Sequence, residues 1–160
     1  MTESTLPSAA ELSEIASEVW SSFLDDALVE VEHPGDGALP HDRTIGWVSI
    51  SGDWTGHLYV TTSGAGAREI ASNMFQLDAG EISDSEIADA LGEIANMVGG
   101  SVKGMVGGAV MLSLPQVVLN AGTIISPEAH QRVRVSGSWH GEPVEFAVWE
   151  REVDRVGENA

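Results

Sequence analysis

One stretch limits this chain's options more than any other: Ser83 to Val106, SDSEIADALGEIANMVGGSVKGMV. Ser83 and Glu86 make a capping box, in which the serine accepts a bond from the backbone three residues on and the acid returns one. At about 100° per residue, Ile87, Leu91, Ile94, Val98, Val102 and Met105 share one face. The spacing predicts one long helix with that face buried against a sheet or a second helix. Asp89, Glu93, Asn96, Gly100 and Gly104 fall on the opposite face.

A solvated helix face ordinarily mixes acids with bases, because opposite charges at i,i+4 stabilise by roughly 0.2–0.5 kcal/mol per pair. Here Glu86, Asp89 and Glu93 repel one another and no base answers them. Glycine inside a helix costs about 1 kcal/mol relative to alanine, so Gly100 and Gly104 serve something other than helix stability. A bare patch beside a carboxylate and an amide suits close approach by another molecule. The competing reading of the two glycines is tight helix–helix packing.

The rest of the chain supplies the support. Ser8 to Leu28 sets Leu12, Ile15, Ala16, Val19, Trp20, Phe23 and Leu24 at helical spacing, a first amphipathic helix. Val29 to Asp42 holds Pro34, Gly35, Gly37 and Pro40 and reads as a connecting loop. Arg43 to Ser51 alternates as a strand does, and Gly52-Asp53 separates it from a second strand, Trp54 to Thr62, in a hairpin. Ser63 to Leu77 places Ala67, Ile70, Ala71, Met74 and Phe75 on one side of a short helix that Asp78 to Glu81 breaks. After Gly107-Gly108, Met111 to Asn120 is extended, and Pro115 confines it to an edge or a turn. His130 to His140 and Glu142 to Glu152 alternate as strands about Gly141, a second hairpin. The sum is an α+β fold, a mainly antiparallel sheet with helices packed on it. It forms a single domain over 1–160 with loose tails at 1–7 and 154–160.

Charge and composition exclude several functions. The 160 residues carry 25 acids against 7 bases, a net charge of −18, and Lys103 is the only lysine. Such a chain repels nucleic acid and anionic membrane at long range, so neither is expected as a partner. With no cysteine there is neither a disulfide framework nor a thiol nucleophile. No basic segment precedes an apolar run and no run approaches the length of a membrane span, which points to a cytoplasmic protein.

Other signals are weaker. Gly64-Ala65-Gly66 follows a strand and opens a helix, but it lacks the third glycine and the parallel βαβ unit of a dinucleotide site, and helix-start chemistry explains it. His33, His41, His57, His130 and His140 are scattered without ligand spacing. Glu86, Asp89 and Glu93 have the oxygen donors that suit magnesium or calcium, yet one helix face supplies too few converging ligands, so no metal is expected on this chain.

The pattern Asp89-x-x-x-Glu93-x-x-Asn96 within DALGEIANMVGGSVKG, followed by SLPQVV, resembles the signature of the CheC/CheX/FliY chemotaxis phosphatases. The strand pair, short helix and long helix from Ile45 to Val118 follow the same layout. CheC-type relatives carry two copies of the motif and this chain shows one, so the resemblance is to the CheX type. The Asn96-to-Pro115 spacing is a little shorter than in the CheC pattern.

The resemblance implies a CheC/CheX-like fold and a phosphatase acting on phosphorylated CheY-type response regulators. By matching position, Glu93 pairs with a lysine of the regulator and Asn96 orients the water that attacks its aspartyl phosphate. Asp89, Gly100 and Pro115 fall on the partner-facing side. Magnesium is held by the regulator and no cofactor by this chain. The CheX type also implies a homodimer. Two other readings stay open: a CheX-like binding module or scaffold that docks a signalling protein without turnover, and a metal-dependent acidic enzyme.

Overall fold

The computed structural model describes residues 6–31, 42–121 and 129–151. Helix α1 (Ala9–Phe23) starts from a capping box in which the Ser8 side chain accepts from the Glu11 N–H and Glu11 accepts from the Ser8 N–H. It stops five residues short of the expected Leu28, with Leu24 already extended (φ −127°, ψ 149°). Acids at a helix C-terminus oppose the macrodipole. The N–H of Asp25 is instead taken by Asn73 Oδ1 at 2.9 Å.

Val29 and Glu30, expected to begin a loop, form the short strand β1 (Val29–Glu30). It pairs antiparallel with Ser138 and Gly137. A two-residue strand is set by its neighbour and leaves no periodicity to read. Residues 32–41 of the expected loop lie outside the described residues, as do 1–5 of the first expected tail and all of the second, 154–160. Leu6 packs against the core and Pro7 is buried.

Strands β2 (Arg43–Gly52) and β3 (Gly56–Ser63) form the expected hairpin. Ser63 then caps α2 (Gly64–Phe75), its hydroxyl accepting from the Gly66 N–H at 2.9 Å, which is the helix-start role foreseen for the glycines there. A 3₁₀ turn (Ala79–Glu81) leads to α3 (Asp84–Val106), which opens on the expected Ser83–Glu86 capping box. Ile87, Leu91, Ile94, Val98 and Val102 are buried as the spacing requires, while Val106 is buried in place of the half-exposed Met105.

Gly107 and Gly108 turn the chain with φ of 73° and 76°. Asp53 clamps that exit, its Oδ2 accepting from the Ala109 N–H at 2.8 Å. β4 (Val110–Leu112) and β5 (Gln116–Ala121) both pair antiparallel with β2, so the segment from Met111 to Asn120 lies along one edge and Pro115 falls in the break. β6 (Ala129–Trp139) and β7 (Glu142–Arg151) form the second hairpin. His140, expected to end the strand, is the first residue of a two-residue turn, with φ of 52° followed by 80° at Gly141. Positive φ at both positions is the type I′ pattern that matches strand twist.

Among the described residues the sheet runs β1-β6-β7-β3-β2, with β4 and β5 on the outer side of β2. The helices share one core with the sheet. Trp20 of α1 meets Trp139 (5.6 Å between ring centroids, 76°) and Phe146 (6.2 Å, 85°) in edge-to-face contacts. The other face of the sheet carries a half-buried row of rings, Trp47, His57, Tyr59 and Trp149, with Tyr59 at its centre.

His140 staples three elements together. Its Nε2 lies 2.7 Å from Asp26 Oδ2 and its Nδ1 2.9 Å from Glu69 Oε2, while its ring stacks on Trp139 at 3.9 Å. The hydrogen bond to Asp26, then that to Glu69, holds the imidazole above its ordinary 6.5. A raised pKa adds stability that is fully present below 6.5 and is lost as pH rises through the folded value. His57, lowered by burial and by Arg151, counts only as pH falls through 6.5. The melting temperature is therefore expected to decline on the alkaline side of 6.5. His140→Asn keeps a residue suited to positive φ but removes the charge. Melting curves of that variant between pH about 6 and about 9 should lack the decline. An identical decline in both proteins would show that the staple carries no pH-dependent stability.

Candidate functional site

Two glycines, Gly99 and Gly46, set the height of α3 above the sheet. A Cβ at Gly99 would lie 2.2 Å from Val48 Cγ2, and one at Gly46 would lie 3.1 Å from the Leu91 carbonyl oxygen. A Cβ at Gly92 would lie 3.5 Å from the Pro115 ring. The helix therefore rests directly on β2, with the β4–β5 edge along its flank: Pro115 and Val117 beside Gly92, and Leu112 beside Gly99.

Gly92, Asn96 and Gly99 recur at i, i+4 and i+7, so they form one stripe of the helix. Gly92 and Gly99 are buried under the edge, and Asn96 sits half-buried between those two points of contact. Glu93 and Asp89, one turn apart, are exposed on the adjoining stripe. Among the described residues, none of Asp89, Glu93 and Asn96 has a side-chain hydrogen bond or ion pair. They are held outward by a helix whose other side is wholly packed.

Glu86 does not join them. Its carboxylate accepts from the Ser83 N–H and hydroxyl, both at 3.0 Å, and is spent on the cap. The three acids therefore do not converge, and among the described residues no group of three or more His, Asp or Glu side chains is placed to hold a metal ion.

Gly100 and Gly104 separate from Gly99 in function. A Cβ at either would meet nothing within 4 Å. The helix–helix packing weighed for this pair is therefore absent among the described residues, and the patch faces open space. Pro115 is half-buried and adjoins Gly92, the residue before Glu93.

Sequence reasoning missed the apolar side of this surface. Leu114 is 86% exposed, Met111 73% and Met97 43%. Met97 could have been noticed, because it lies off the buried stripe of α3. Leu114 could not, because its exposure depends on the break between β4 and β5. That break is well held: the Ser113 N–H donates to Ser49 O at 2.8 Å, and the Ser113 hydroxyl accepts from the Ser49 N–H at 2.9 Å and donates to the Leu114 carbonyl at 3.0 Å.

Chemically the surface offers an amide that can both donate and accept, a carboxylate that can anchor a cation, and a ledge of apolar side chains. A fixed amide can orient a water without any shifted pKa.

The model of the family described as chemotaxis phosphatase CheX matches residues 44–137. The fold is similar to that of CheX in a CheX–CheY–BeF3–Mg complex from Borrelia burgdorferi (TM-score 0.70, 19% identity, covering 90% of this chain and 98% of that one). It is also similar to CheX from Vibrio vulnificus (0.66, 21%, 86% and 91%) and to a chemotactic CheC-like protein from Shewanella oneidensis (0.65, 23%, 86% and 93%). No curated protein matches the chain.

The neighbouring glycines of α3 should respond in opposite directions. Gly100→Ala gains helix propensity in open space and is expected to raise the unfolding free energy by about 0.5–1 kcal/mol. Gly99→Ala must displace the buried Val48 and is expected to lower it by about 1–3 kcal/mol. Urea denaturation of both variants checks this, and a stabilising Gly99→Ala would refute the close seating of α3 on β2.

Proposed function

This chain belongs to the CheX family of chemotaxis phosphatases, and from that premise we propose that it hydrolyses the aspartyl phosphate of a CheY-type response regulator. The observation that carries the reading is the placing of Glu93 and Asn96: side by side, without partners among the described residues, on the outer side of a helix fixed by its packed face. A binding module would need neither an amide nor a carboxylate in that relation.

In this reading Glu93 takes the ammonium of a lysine in the regulator's active site, and the otherwise repulsive charge of this face is neutralised on docking. Asp89, one turn back, strengthens the local negative potential, and bare Gly100 admits the regulator's surface. Asn96 enters the regulator's site and holds a water in line with the phosphorus. The water oxygen bonds to phosphorus, the bond from phosphorus to the aspartyl oxygen breaks, and the carboxylate leaves with that electron pair. The water's proton ends on the released phosphate. Such transfers depend mainly on positioning and charge neutralisation rather than on a covalent catalyst. Magnesium belongs to the regulator and neutralises phosphate charge there; this chain contributes the amide and the anchor.

The same reading includes a cytoplasmic location and a homodimer. No described helix is long and apolar enough to cross a membrane. The face of the sheet that no described helix covers supports self-association. It carries Trp47, Tyr59 and Trp149, and a half-buried Glu145 whose pKa is raised by burial against the opposing pull of Arg134 and Arg43. Four of the chain's 7 bases, Arg43, Arg132, Arg134 and Arg151, lie on β2, β6 and β7. Repulsion between two copies of a −18 chain is least there.

Asn96→Ala is expected to lower the rate of phosphate loss from a phosphorylated cognate regulator by about a hundredfold, with unfolding free energy changed by less than about 0.5 kcal/mol. Binding to the beryllofluoride-activated regulator should persist. Unchanged phosphate release in this variant would sink the mechanism, and complex formation by the wild-type chain without accelerated release would favour the scaffold instead. Sedimentation equilibrium should show a dimer that Trp47→Glu dissociates; a wild-type monomer at micromolar concentration would remove self-association.

A further inference from the structure

Resting on the phosphatase reading, we propose that Leu114 is the residue by which this chain selects its regulator: an apolar knob that seats on the receiver domain beside the phosphorylated aspartate. The first observation is exposure. Leu12, Leu24, Leu58 and Leu91 are all buried, whereas Leu114 is 86% exposed, next to the half-buried Pro115 and close in sequence to Met111 at 73%. A leucine side chain left in water forgoes a large share of the stabilisation its burial brings, so its display calls for a partner.

The second observation is rigidity. Both polar groups of Ser113 that could bind β2 do so, its hydroxyl also ties down the Leu114 carbonyl, and Pro115 rests on Gly92. A side chain carried on a held backbone loses little freedom on docking, which is what a recognition anchor needs.

The third observation is position. The break from Ser113 to Pro115 runs between the contacts at Gly92 and Gly99, and Asn96 lies on that same stripe. A domain that brings a phosphoaspartate to Asn96 therefore docks alongside the break that carries Leu114. Charge divides the labour. The acids of α3 attract any site that carries a lysine, and at such range they discriminate poorly. An apolar knob discriminates by fit, because a receiver with a charged or bulky group opposite it leaves that group unpaired or clashing.

The experiment compares Leu114→Ser, Leu114→Met and Asn96→Ala with the wild-type chain, using one phosphorylated receiver that the wild type dephosphorylates. Leu114→Ser is expected to raise KM about tenfold with kcat nearly unchanged, Leu114→Met to restore most of the affinity, and Asn96→Ala to show the reverse pattern, with kcat lost. The melting temperature of Leu114→Ser should match the wild type, since the side chain touches solvent. An unchanged KM in Leu114→Ser beside an active wild type overturns this inference and leaves the phosphatase reading standing. Loss of the dimer in Leu114→Ser with KM unaffected also overturns it, assigning the knob to a second copy of the chain. A wild-type chain that accelerates no receiver's phosphate loss defeats the parent reading and this one together.

Discussion

The seating of α3 on β2 is the contact on which the rest of the molecule turns. Side chains normally hold a helix and a sheet well apart. Here Gly46 on the strand and Gly99 on the helix remove the spacers, so that Val48 and the Leu91 carbonyl occupy the room where two Cβ atoms would be. The low seating brings the β4–β5 edge up along the flank of the helix, with Pro115 against Gly92 and Leu112 against Gly99. Asn96 thereby sits half-buried between Gly92 and Gly99 on the stripe that meets this edge.

Much of this was legible in the amino-acid string because it depends on local rules. The capping box at Ser83 and the five buried positions from Ile87 to Val102 follow from spacing alone, and both hairpins follow from alternation about turn residues. What was hidden depends on tertiary neighbours. Gly99 and Gly100 are identical in the string, yet one lies against Val48 and the other faces nothing within 4 Å. β1 exists only because β6 presents an open edge to it. His140 read as a strand residue because its left-handed backbone is a property of the turn, not of histidine. The trio Asp89, Glu93 and Asn96 was marked by an absence of helix logic, acids without bases followed by glycines, and among the described residues none of the three has a side-chain partner. The apolar neighbour Leu114 left no such mark.

The charge of the chain also gains meaning from the fold. Acids crowd the helical side, where Glu11, Glu14, Glu18, Asp89 and Glu93 lie, while four of the 7 bases lie on the strands. A uniformly negative particle would repel copies of itself from every direction. This one is polarised: its helical side is attractive to cations, and its opposite side is the least hostile to a second acidic surface.

The break at Pro115 has one more outcome. Among the described residues the sheet ends on one side in two-residue β1 and on the other in β4 and β5, which no ladder joins across 113–115. Incoming polypeptide can add to a sheet only where a run of free amides lies in register, and proline supplies none. The β4–β5 margin of this sheet is thus a poor template, so strand addition there is discouraged by the same interruption that shapes the ledge.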